Sequence, residues 1–142
     1  MVKILLTFVI VALVTPVQAH HSLSEYDVAR KLTLNVTVRE FRFVNPHPFV
    51  TMEVKIDRGG TQQWRLEMDN RSELAAIGVT AATFKPGDRV VVSGSLARSQ
   101  PRSLYLLRLD RSADGFFYEQ VGASPRIGRA SAVDRRPARP RP

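Results

Sequence analysis

The stretch Leu32-Thr33-Leu34-Asn35-Val36-Thr37-Val38-Arg39-Glu40-Phe41-Arg42-Phe43 decides the fold. Leu32, Leu34, Val36 and Val38 alternate with Thr33, Asn35, Thr37 and Arg39. That is the pattern of a strand with one face on a core. The apolar parity then changes, because Phe41 and Phe43 are odd-numbered where the valines are even. Side chains of a strand point to alternate faces, so a parity change without a break needs one extra residue. That residue is a β-bulge, which bends the strand and turns its face.

Downstream, Asn45-Pro46-His47-Pro48 interrupts the run. Val50, Met52, Val54 and Ile56 alternate as a second strand, Asp57-Arg58-Gly59-Gly60 forms a hairpin turn, and Gln62, Trp64, Leu66 and Met68 alternate as a third. Asn70 with Glu73 three residues on reads as a helix N-cap and capping box, Leu74 and Ile77 supply a small apolar face, and Gly78 ends the helix. Phe84-Lys85-Pro86-Gly87-Asp88 is a turn. Val90 to Ser95 is a fourth strand, in which Gly94 marks a bend or a close approach. Leu104 to Leu109 is a fifth, Asp114-Gly115 turns the chain, and Phe116 to Tyr118 fits a short last strand. Three strands, a short helix and two strands, with the first strand bent, predict a mainly β fold: a five-stranded OB-like Greek-key barrel over residues 20–121.

Upstream, the 142-residue chain opens on Lys3 and an apolar run from Ile4 to Val14, with Val17 and Ala19 as the small residues before His20. This is the pattern of a signal peptide over residues 1–19, cut after Ala19, and His20 to Arg30 then reads as a polar lead-in to the first strand. Such a leader predicts a periplasmic or secreted protein. The leader is too short for a mature membrane span and no second long apolar run follows, so an integral membrane protein is not expected after cleavage. There is no cysteine, which excludes disulfides and thiolate metal sites. The net charge is +8, yet after residue 122 six arginines (126, 129, 135, 136, 139 and 141) face the single Asp134. The charge therefore belongs largely to residues 122–142, which read as a disordered Arg/Pro-rich tail. The near-neutral body lacks a basic groove with interleaved aromatics, and export removes nucleic acid as a partner.

With these elements in place, the chain resembles the DUF6152 family of small exported bacterial proteins of unknown function. The resemblance rests on His20-His21-Ser22, Tyr26-Asp27, Asn45-Pro46-His47, Trp64-Arg65-Leu66-Glu67, Leu74 to Gly78 and Lys85-Pro86-Gly87-Asp88. Tyr26 and Val44 depart from the usual Phe and Thr, and the Arg-rich tail is outside the pattern. The resemblance implies export and a small β-barrel. It implies no activity.

The three histidines, His20, His21 and His47, fall at the expected mature end and in one proline-braced turn. A terminal His20 offers its α-amine and Nδ1 together, His21 an imidazole or its amide nitrogen, and His47 a fixed imidazole. Such a nitrogen set suits copper ahead of nickel and zinc. Glu67, on the third strand opposite in face to Leu66 and Met68, is the candidate carboxylate beside it, or a fourth ligand. The bland alternative is an exposed terminus and a turn-capping His47. Trp64 reads as core, with ligand stacking as the lesser reading, and Phe41, Phe43 and Phe49 as barrel packing or the walls of a shallow pocket. No nucleophile with its base is evident, so no catalytic residue is assigned and binding is expected rather than turnover. The functional expectation is an exported binding protein for copper or another divalent metal. The alternative is an envelope interaction protein that contacts anionic partners through its barrel face or Arg-rich tail. A copper-dependent oxidative enzyme ranks last.

Overall fold

The computed structural model describes residues 24–57 and 59–130. Seven strands and one short helix follow in the order β1 (Tyr26–Arg42), β2 (Phe49–Lys55), β3 (Thr61–Glu67), α1 (Arg71–Ala76), β4 (Arg89–Ala97), β5 (Ser103–Arg111), β6 (Phe116–Val121) and β7 (Ser124–Arg129). They form one sheet in the order β3-β2-β1-β4-β5-β6-β7, with a further pairing of β3 to β5. Neighbours are antiparallel, apart from a short parallel contact of Arg65–Glu67 with Ser103–Tyr105.

The bulge expected from the parity change is present. The β1–β2 register shifts between Val38 and Glu40, so that Val38 opposes Met52 and Phe41 opposes Val50. Both parities thereby face the core, where Val36, Val38, Val50, Met52, Leu66, Val92, Leu104 and Leu109 are buried. Bending lets β1 serve two partners: residues 36–42 pair with β2, and residues 26–27 and 31–37 with β4. Gly94 lies where the β4–β5 register shifts. A Cβ built there would lie 2.3 Å from the Tyr105 carbonyl oxygen, so only glycine fits.

The helix is capped largely as its sequence predicts. Asn70 Oδ1 accepts the Glu73 N–H at 2.9 Å. The reciprocal half of the capping box is replaced, since the Asn70 N–H donates to Asp69 Oδ1. At the other end Gly78 has φ +93°, and Val79 and Gly78 donate to the Leu74 and Ala75 carbonyls. This is a Schellman ending, which satisfies two orphan carbonyls.

Three expectations need correction. The strands number seven among the described residues, not five. β1 begins at Tyr26, inside the stretch expected as a polar lead-in to Arg30. The expected tail boundary at residue 122 falls in a turn, and residues 124–129 form β7 on the edge of β6. Two of the six tail arginines are thereby folded: Arg126 pairs with Glu119, and Arg129 with Asp114 at 2.9 Å. The segment reads as polar because an edge strand needs few apolar residues: Pro125 is buried and Ile127 packs against the core. The leader with its cleavage point and the rest of the tail, from residue 131, lie outside the described residues.

Candidate functional site around the Pro-His-Pro turn

The turn after β1 is fixed by its backbone. The Asn45–Pro46 peptide bond is cis. The Pro46 carbonyl accepts the Arg71 N–H at 3.0 Å and the Pro48 carbonyl the Met68 N–H at 2.9 Å. Proline lacks a donor, so these carbonyls must be satisfied from outside the turn, and the β3–α1 connection does so. His47 is half-buried between them, and its Nδ1 is enclosed with no hydrogen-bond partner among the described residues. An imidazole nitrogen left so is costly unless something occupies it.

Glu67 closes β3. In register it lies opposite Phe49, two residues from His47, and on its other side opposite Tyr105. The Tyr26 hydroxyl donates to Glu67 Oε2 at 3.0 Å. The Tyr26 ring lies 5.6 Å from the Tyr105 ring, and both residues are buried. The Glu25 carbonyl accepts the Arg98 N–H at 2.8 Å. The start of the described chain is thus paired with the end of β4, and its Tyr26 side chain reaches the end of β3. Burial pushes the Tyr26 hydroxyl up to about 12, and the charge of Glu67 adds to the rise. Burial first, then Asp69, raises Tyr105 as well. Deeper in, the Tyr118 hydroxyl donates to Gln120 Oε1 at 2.7 Å and Gln120 Nε2 to Asp69 Oδ2 at 2.9 Å, which satisfies a buried polar network.

Of the four residues singled out by sequence, the structure places His47 and Glu67 on adjoining segments, while His20 and His21 lie outside the described residues. Among the described residues no group of three or more His, Asp or Glu is placed to hold a metal. Trp64 packs against the core from the β3 side opposite Met52, and its Nε1 is enclosed without a partner. The three phenylalanines do not form one wall. Phe41 and Phe43 pack toward the core, with Phe41 edge-on to Phe84 at 5.0 Å. Phe49 sits on the outer face under the Arg65 guanidinium. Tyr26 is the site residue that the pattern missed. It is the first buried side chain of the described chain, and its polar neighbours conceal it.

A larger hollow, about 620 Å³, lies between the residue 78–88 segment and β6–β7. Its most prominent cation is already used. Arg111 donates to the Thr83 carbonyl, Asp88 and Asp114. Among the described residues no helix is long and apolar enough to cross a membrane.

The model of one protein family, a family of unknown function designated DUF6152, matches residues 9–104. No curated protein matches the chain.

Proposed function

Because the chain belongs to the DUF6152 family, to which no activity attaches, its own residues must carry the reading, and we propose that it is an exported binding protein for copper or a similar divalent metal. The strand pairings favour an OB-like Greek-key barrel as its scaffold. They run β3-β2-β1-β4-β5 and return to β3, with β6 and β7 added at the edge.

One observation carries the metal reading. Tyr26 pairs with Ala97 at the end of β4 and its buried hydroxyl bonds Glu67, so the chain preceding it starts a tyrosine side chain's length from the end of β3, which adjoins the turn that holds His47. His21 lies five positions before Tyr26, a reach of up to roughly 17 Å for extended chain. The anchor and the reach together support convergence of a terminal His20, His21 and His47 on one ion. The amine and Nδ1 of His20 would form a chelate, and the remaining nitrogens would complete a set that favours copper. Glu67, with one oxygen taken by Tyr26, would serve best as a neighbouring carboxylate that orients a ligand. Carriage or sensing, rather than turnover, is the role assigned to this arrangement.

Isothermal titration with copper(II) of the protein beginning at His20 tests the reading. A specific site loses at least tenfold in affinity on His47→Ala, and as much when one extra residue precedes His20 and removes the terminal chelate. Equal affinity in all three proteins would reduce the binding to the general attraction of any terminal histidine for copper.

A further inference from the structure

Four arginines of the described chain lie over phenylalanine rings, and they fall into two kinds. Arg108 over Phe117 and Arg111 over Phe84 and Phe116 also hold carboxylates on their N–H edges: Asp110 and Glu119 for the first, Asp88 and Asp114 for the second. Arg65 lies 3.7 Å above the Phe49 ring and Arg71 4.9 Å above the Phe43 ring. Neither makes an ion pair among the described residues. With a ring beside them and no carboxylate partner among the described residues, these guanidinium groups keep N–H donors for bidentate capture of an oxyanion.

The two free stacks bracket one turn. Phe43 enters it and Phe49 leaves it, and Arg71 is tied to it through the Pro46 carbonyl. Between them Val44 is 38% exposed, one of five large apolar side chains exposed among the described residues, and Asn45 and Pro46 are exposed beside it. A turn with an exposed valine and an unpaired cation held over the phenylalanine at each of its ends fits a membrane surface: the valine meets the headgroup boundary while the arginines meet phosphates. An acidic polysaccharide fits less well, because both phenyl faces are already covered by guanidinium and none is left for a sugar to stack on.

We propose that the Val44–Pro46 tip, with Arg65 and Arg71, is a docking surface for an anionic phospholipid surface. The contact is peripheral and salt-sensitive. It is independent of the copper reading, since it needs neither His20 nor leader removal.

Co-sedimentation of the full chain with phosphatidylglycerol vesicles, compared with phosphatidylcholine vesicles, isolates the charge-dependent part of binding, because any apolar insertion by residues 4–14 contributes to both. Arg65→Gln with Arg71→Gln should lower that preference about tenfold or more, as loss of two surface cations predicts. Arg65→Lys with Arg71→Lys should fall between the unaltered chain and the glutamine variant, since the charge stays while the bidentate fork is lost. Lys85→Gln with Arg89→Gln, removing two cations elsewhere, should change it less than threefold. Equal losses in the Arg65/Arg71 and Lys85/Arg89 glutamine variants would overturn the proposal. So would loss in the lysine variant as large as in the glutamine variant, or retention by an acidic polysaccharide column that depends on Arg65 and Arg71 while vesicle binding does not.

Discussion

The Tyr26 hydroxyl donates to the Glu67 carboxylate at 3.0 Å, joining the first strand of the described chain to the last residue of the third. Forty-one residues separate the two in sequence. Removing the hydroxyl while keeping the ring isolates this bond. Tyr26→Phe should lower stability by about 1 kcal/mol, read as a lower urea midpoint at unchanged slope. Tyr26→Ala also loses the contact with Tyr105 and should cost about 3 kcal/mol or more. If the two variants proved equally stable, the ring would contribute nothing and the anchor described for the lead-in would not exist.

The chain's three tyrosines should resist base while the fold lasts. Burial is the first cause of the rise at Tyr26, Tyr105 and Tyr118, and at Tyr26 the value reaches about 12. An unfolded tyrosine ionises near 10. The folded state therefore keeps protons that the unfolded state has released. The stability involved is fully present below about pH 10 and is lost as pH rises from there toward the folded values. Absorbance at 295 nm should stay flat past pH 10 and then rise together with loss of the circular dichroism signal. Tyrosinate forming near pH 10 in a still-folded protein would contradict the burial of these rings.

How far the fold was legible follows from which residues speak locally. The Val38-to-Phe41 parity change announced the bulge because alternation is a property of neighbours along one strand. The Asn70 cap and the Gly78 ending were legible for the same reason. The contact of Arg65–Glu67 with Ser103–Tyr105 leaves no such mark, since parallel partners far apart in sequence share no local pattern. β7 was hidden by composition: its arginines are satisfied by Glu119 and Asp114, which only the folded hairpin brings near. At the site, His47 and Glu67 were legible as residue types. The Tyr26 anchor and the split between paired and unpaired Arg–Phe stacks are tertiary facts, and nothing in the alternation of β1 or β3 announces them.

Arg111 is the staple of the region between the residue 83–88 turn and the β5–β6 turn. It reaches Asp114 through both Nε and Nη2, and Asp88 and the Thr83 carbonyl through Nη1. Its side chain is only 14% exposed. Arg111→Gln takes the guanidinium from two carboxylates and a carbonyl, while Asp114 keeps Arg129 and Asp88 keeps the Lys85 N–H, and should cost about 2 kcal/mol, measured by chemical unfolding. The hydrogen bond from Arg111 is the chief reason that the Asp114 carboxyl sits well below the usual carboxylate range. A depressed acid lends stability above its unfolded value, about 4, and that stability is lost as pH falls through the folded value. Asp114→Asn should therefore flatten the acid limb of the stability profile below about pH 4. An unchanged limb would assign acid unfolding to other carboxylates.

Two glycines separate backbone crowding from side-chain crowding. At Gly94 an added Cβ would sit 2.3 Å from the Tyr105 carbonyl oxygen, and at Gly128 it would sit 2.6 Å from the Phe117 ring. The carbonyl belongs to the β4–β5 ladder, where Ser95 pairs with Tyr105, so relief at Gly94 must come from shifting strands. The half-buried phenyl at Gly128 can swing aside. Gly94→Ala should thus cost about 3 kcal/mol and Gly128→Ala about 1 kcal/mol, and the melting temperatures should fall in that order. Because Tyr105 packs on Tyr26, the Gly94 variant should also release the anchored start of β1, seen as faster amide exchange at Tyr26 and Asp27 than in the Gly128 variant. If Gly128→Ala were the more damaging of the two, the strand contact at Gly94 would have more slack than a 2.3 Å approach allows.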